Sequence, residues 1–347
     1  GRDSYVGGPA YYMEYGLGKR WMGVLFAVLI SVTFGFAFNS VQSNTICAAW
    51  EGAFGLDPHW IGVGLTALTL LIIFGGIHRI ARVSGVIVPV MALGYILLAL
   101  GIVLFNIRRL PEVLGLILSE AFGWGPVLGG AAGATLMQGI KRGLFSNEAG
   151  MGSAPIVAAA AQTRNPVRQA LVSSTGTFWD TIVICALTGL VIVSSILAYP
   201  DIDYADGAAL TKAAFAKIPY VGEPLLTFGL FTFAFSTILG WSYYGERAVE
   251  YLKGQRWMLV YRWLYIACVF AGAVIQLDIV WNIADSMNAL MAVPNLIALL
   301  LLSGVLVAET RKYLWEGRLD EAAEELVPEI ETEPMLEDES DETPALD

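Results

Sequence analysis

Residues 21–50 run for thirty positions without one charged side chain, and the chain repeats that pattern to its end. A bilayer core about 30 Å thick takes roughly 20 apolar residues per helix. Further apolar stretches occupy 60–77, 83–107, 126–140 with a continuation at 154–161, 170–199 around Asp180, 225–244, 257–277 and 279–308. They predict eight membrane spans, too many for any to be a signal peptide. Composition agrees: 56% of residues are hydrophobic and only 15% charged, against about 25% charged in ordinary globular domains.

The net charge of −11 belongs to one end. Residues 316–347 hold 14 of the 31 acids and a single base, Arg318, whereas residues 1–315 carry a small positive excess. No concentrated basic face exists for nucleic acid. Three cysteines (Cys47, Cys185, Cys268) and two histidines cannot supply a zinc or disulfide scaffold. No cofactor and no obligate protein partner is expected. The division predicted is a cytoplasmic loop at 1–20, a transmembrane region at 21–313, and an acidic tail at 314–347 whose composition reads as disordered. If residues 1–20 are cytoplasmic and the spans alternate, fourteen lysines and arginines fall inside and four outside, with Lys141 and Arg142 within the fourth span. That arrangement makes the tail cytoplasmic and the protein a multi-pass component of the cell membrane.

The fourth apolar region is too long for one helix. Residues 124–162 would extend about 58 Å if wholly helical, and Gly143, Gly150, Gly152 and Pro155 all lie within them. An unwound segment near 146–153 is therefore expected. Irregular backbone at membrane depth is tolerated where it is buried in protein or lines a cavity, and half-helix ends there suit a zwitterion or a cation. A kinked packing helix is the plainer alternative, but it leaves Ser146, Asn147 and Glu148 in one run unexplained. Residues 34–40 (FGFAFNS) and 231–237 (FTFAFST) also echo each other, as do Val88-Pro89 and Val293-Pro294. Both pairs join spans that cross in opposite directions, the mark of an inverted repeat. In a repeat of five plus five helices the broken helix opens the second half. Only three spans precede it, so the first two helices of the first half are expected to be missing.

The broken region, residues 142–155 (RGLFSNEAGMGSAP), closely resembles the signature of the sodium:alanine symporter family. Residues 7–12 (GGPAYY), 42–44 (QSN), 165–169 (NPVRQ), 240–246 (GWSYYGE) and Pro294-Asn295 resemble it as well, so the likeness extends from residue 1 to about 313. Ala10 and Met151 depart from the family's commoner Met and Leu. The resemblance implies an all-α membrane protein with the leucine-transporter-type five-plus-five inverted repeat. It also implies about three further helices ahead of this chain, including a glycine-rich broken helix that supplies half of the site. Residues 1–347 alone are then expected not to transport.

The function so implied is sodium-coupled import of alanine, glycine or a similar small neutral amino acid by alternating access, with sodium as coupling ion. A substrate ammonium suits carbonyls or a carboxylate, and a substrate carboxylate suits amide groups. The candidates are Phe145, Ser146, Asn147, Gly150 and Gly152 at the break, with Gln42 and Trp241 closing the pocket. The alternatives are interhelical hydrogen bonding for residues 42–44 and an interfacial anchor for Trp241. Ser236 and Thr237 offer adjacent hydroxyls for sodium, or hydroxyls that bond back to their own helix. Lys141, Arg142 and Glu148 are close enough in sequence to form a gating or structural ion pair, while Asp180 and Asp285 read as structural. A proton-coupled carrier driven by Glu148 or Asp180 is the alternative of the same fold. A membrane-embedded enzyme lacks a nucleophile–base pair or metal cluster at one depth.

Overall fold

The computed structural model describes residues 6–122, 131–199, 207–217, 222–275 and 277–322; these form helices joined by turns and short loops, with no strand among them. A short helix α1 (Pro9–Tyr11, continuing as Tyr12–Gly16) precedes α2 (Arg20–Phe54). Then come α3 (Pro58–Ile73), α4 (Gly76–Phe105), α5 (Leu110–Phe122), α6 (Ala131–Asn147), the single turn α7 (Ala154–Ala158) and α8 (Pro166–Ala198). The chain continues through α9 (Gly207–Ala216), α10 (Gly222–Lys253), α11 (Arg256–Val274), α12 (Leu277–Leu301) and α13 (Ser303–Thr310, continuing as Arg311–Trp315).

Among the described residues, six helices are long and apolar enough to cross a membrane: α2, α4, α8, α10, α11 and residues Trp281–Leu301 of α12. Of the eight stretches expected, the second is the shorter apolar helix α3, and the fourth is α6 with α7 beyond a gap in the helix. Their surfaces require hydrocarbon rather than water. Phe105 is 84% exposed and Val86, Leu97 and Leu104 are each exposed by 60% or more, an apolar face too large for an aqueous monomer. The chain is an all-α, multi-pass membrane protein.

Helix starts follow local chemistry. Asp57 caps α3 by accepting from the His59 backbone N–H at 2.8 Å, which holds its carboxyl below the usual carboxylate range. Asn165 caps α8 by accepting from the Arg168 N–H at 2.9 Å. The core forms where α10, α11 and α2 pack on one another, with α3 against α11, α4 against α10 and α12 against α2. Small residues set these distances. A Cβ on Gly272 of α11 would lie 2.5 Å from the Ser40 Cα of α2, so no larger residue fits that crossing.

Two of the long helices widen into π-helical turns, Thr33–Phe38 in α2 and Phe178–Cys185 in α8. Such turns release a helix from its regular ladder and are frequent at functional sites. Each brings residues against the end of α6: Phe38 of the first packs on Phe145, and Asp180 and Thr181 of the second bond Ser146 and Asn147.

The acidic tail divides at its root. Residues up to 322 are described, and the Asn165 amide donates to the carbonyls of Leu319 at 2.8 Å and Glu321 at 3.0 Å. Arg164 donates to the Asp320 carbonyl and Arg168 to its carboxylate, each at 2.8 Å. The first residues of the segment expected to be free are thus docked on the loop that leads from the broken helix into α8. Residues 1–5 and 323–347, and with them Arg2 and most of the tail, lie outside the described residues.

Candidate functional site

Helix α6 ends at Asn147 because the next residues leave helical geometry. Glu148 takes a φ of 55°, and Gly150 and Gly152 take 77° and 89°. Glycine enters this left-handed region freely, whereas a glutamate there is uncommon. Space decides the matter as well: a Cβ on Gly152 would lie 2.6 Å from Pro9 Cγ and 2.9 Å from both Phe26 Cζ and Asn295 Cγ. The Asn147 side chain accepts from the Ala149 N–H at 2.9 Å, turning the chain out of α6. Helix resumes at Ala154.

The opened backbone is held from several sides. Asn295 of α12, 1% exposed, donates to the Gly150 carbonyl at 2.7 Å and accepts from the Tyr12 hydroxyl of α1. Ser153 donates to one oxygen of Glu148, and the indole N–H of Trp241 donates to the other at 2.6 Å. Ser146 donates to both oxygens of Asp180, at 2.8 and 2.9 Å, and Asn147 donates to Thr181 at 3.3 Å. Asp180 and Thr181 lie in the wide turn of α8.

An aromatic group stands beside these polar contacts. Phe145 lies 4.7 Å from Phe38, 5.4 Å from Trp281 and 6.1 Å from Trp241, ring centre to ring centre, and Trp241 packs on Phe34 at 5.4 Å and Phe38 at 5.2 Å. Phe38 is halfway along α2 and Trp241 just past halfway along α10. The gap therefore sits near mid-depth, bounded by polar backbone on one side and aromatic rings on the other. The carbonyl end of α6 carries the negative end of its dipole into this region, a setting that favours an ammonium or another cation.

The sequence profile of the sodium:alanine symporter family matches residues 1–326. The chain belongs to that family. It is 47% identical over 313 residues to the sodium/alanine symporter AgcS of Methanococcus maripaludis, covering 89% of this chain and 69% of that protein. It is 45% identical over 316 residues to the probable sodium/glutamine symporter GlnT of Bacillus subtilis, covering 90% of this chain and 65% of the relative. The amino-acid carrier protein AlsT of the same organism is 44% identical over 307 residues, covering 87% and 65%. The chain spans about two thirds of the length of these relatives.

Within this symporter chain, Phe145, Ser146, Asn147, Gly150, Gly152 and Trp241 come together at the gap. Gln42 lies one helical turn beyond Phe38 on the same face of α2, and its side-chain amide has no hydrogen bond among the described residues. Its neighbours differ. Ser43 bonds within α2, and Asn44 donates to the carbonyls of Gly272 and Ile275, closing the end of α11. Ser236 and Thr237 make no hydrogen bond to the gap residues among the described residues; both donate to the Phe233 carbonyl of their own helix, at 2.9 and 2.8 Å. Each oxygen keeps lone pairs for a further acceptor role.

The grouping of Lys141, Arg142 and Glu148 as one ion pair is corrected. Lys141 lies 3.7 Å from Asp285 of α12, Arg142 donates to the other oxygen of Asp285, and Arg142 also stacks 4.5 Å over Trp281. Residue 142 is still inside α6 while residue 148 has left it, so the break turns Glu148 away from its expected partners. Two features were not derivable from local sequence: the Tyr12–Asn295–Gly150 chain and the Glu246–Arg262 pair, with both N–O distances 2.8 Å and Glu246 3% exposed. Only the presence of Tyr12, Glu246 and Asn295 inside the family-like motifs marked them.

Proposed function

We propose that this protein is a sodium-coupled symporter that imports alanine, glycine or a similar small neutral amino acid by alternating access. The observation that carries the proposal is the unwound segment 148–153 at mid-depth, flanked by Phe38, Phe145 and Trp241. In this reading the substrate ammonium meets the carbonyl end of α6, the aromatic rings limit the side chain to a methyl or hydrogen, and the Gln42 amide closes the pocket. Membership of the family supports the class of cargo, and the sodium and amino-acid names of the relatives support the coupling ion. Ser236 and Thr237, on adjacent positions of α10, are the proposed hydroxyl ligands for sodium.

We place these helices in a five-plus-five inverted repeat of the leucine-transporter type. Support comes from the paired motifs and from Pro89 and Pro294, which sit inside α4 and α12 respectively. The lysine and arginine distribution supports a cell-membrane protein with a cytoplasmic C-terminal tail.

Uptake of labelled alanine into proteoliposomes carrying the full-length transporter is expected to collapse when external sodium is replaced by choline at constant pH. Uptake that persists without sodium and follows an imposed proton gradient favours the second reading, proton coupling. That reading draws on one observation: Glu148 at the break has no Lys or Arg partner among the described residues.

A further inference from the structure

Trp241 is 5% exposed, and an indole N–H can only donate. Its own helix offers no acceptor, because the carbonyls of α10 around it are engaged in the helical ladder. The acceptor is Glu148, which reaches across from the unwound segment at 2.6 Å. Glu148 holds a φ of 55°, a conformation that costs a glutamate and is relieved in glycine. The nearby cations do not account for a carboxylate at this position, because Lys141 and Arg142 are engaged by Asp285. Its second oxygen accepts from Ser153, at the other end of the gap. One carboxylate thus bridges both ends of the unwound segment and fixes the ring that faces Phe38 and Phe145.

We propose that Glu148 is a positioning residue that pins the Trp241 indole to the unwound segment, so that the size limit of the pocket follows the conformation of the break. The proposal rests on the reading of the gap as the amino-acid site. A rearrangement of residues 148–153 shifts the acceptor and so turns the ring. A substrate with a larger side chain is then excluded by an aromatic wall whose place is set by the backbone that binds the substrate's polar end.

The test combines uptake competition with thermal unfolding. Alanine, glycine and leucine compete for uptake by the unaltered transporter and by its Glu148→Gln, Glu148→Ala, Trp241→Phe and doubly substituted Glu148→Ala/Trp241→Phe forms. Glutamine keeps an acceptor oxygen, so Glu148→Gln is expected to hold the alanine-to-leucine preference within about twofold, whatever happens to the overall rate. Glu148→Ala is expected to erode it by roughly tenfold, the scale of a hydrophobic pocket's discrimination. That erosion disappears when Trp241 is already Phe. Equal damage from Gln and Ala, or an undiminished effect of Glu148→Ala in the Phe background, overturns the proposal. Melting temperatures in detergent of the unaltered, Glu148→Ala, Trp241→Phe and doubly substituted proteins form a double-mutant cycle that needs no transport. If the full-length transporter takes up no amino acid, the functional reading fails, and the cycle alone decides the pinning: coupling between 148 and 241 supports it and strict additivity overturns it. Should Glu148→Ala not fold, Glu148→Leu, which fills the space but offers no acceptor to the Trp241 indole, takes its place in both the competition and the cycle.

Discussion

Two carboxylates at membrane depth are treated in opposite ways by this fold. Glu246 meets the Arg262 guanidinium in a two-pronged pair between adjacent helices, with both partners mostly buried. Glu148 meets only a hydroxyl and an indole N–H, on a segment without helical bonds. The first arrangement is neutral and self-contained, and Gly245 next to it allows the Tyr261 ring to pack where a Cβ would lie 1.7 Å from the hydroxyl oxygen. The second leaves a carboxyl group with no cation among the described residues, and open backbone, beside an aromatic pocket. The difference separates a part that holds two helices together from a part whose polar groups are free to exchange partners.

Breaking the Glu246 pair has the largest expected effect on stability. Arg262→Ala leaves a buried carboxylate without its cation, a loss on the order of 3 kcal/mol, to be read as a lower melting temperature in detergent and reduced yield. Gly152→Ala follows, at about 2–3 kcal/mol, from a strained φ and three contacts under 3 Å. Asp285→Asn removes the counter-charge of Lys141 and Arg142, which are about two-fifths exposed. Solvent screening reduces that loss to about 1 kcal/mol, with a clearer effect on uptake than on melting. Asp320→Ala has the smallest effect: its side chain is 88% exposed, and such pairs contribute roughly 0–1 kcal/mol. A melting shift for Glu148→Gln as large as that for Arg262→Ala would erase the contrast between the two carboxyl groups.

The helical spans were legible because hydrocarbon imposes a length and an absence of charge, and both can be counted along the chain. The region of the break was legible for a related reason: Gly150 and Gly152 are the residues that left-handed backbone selects. Partner choice was not. Sequence proximity put Glu148 with Arg142, yet the turn at Asn147 redirects it to Trp241, 93 positions away. The same limit hid Asn295 and Tyr12, which meet over 283 positions. Hydroxyl roles were equally open, since Ser236 and Thr237 satisfy their protons on α10 and keep the oxygens available. The root of the tail illustrates composition misleading by position: within an acidic segment, Leu319 and Glu321 offer backbone carbonyls that the buried Asn165 amide takes up.

The central claim is that the gap between α6 and α7 holds the amino acid. Equilibrium binding of labelled alanine in sodium, compared between Phe145→Ala and Phe178→Ala, tests it most directly. Phe145 faces Phe38 and Trp241 at the gap, whereas Phe178 is 53% exposed and packs on Trp179 of its own helix. The account predicts affinity weakened at least about tenfold by the first substitution and unchanged by the second. Equal affinities in the two variants would contradict it.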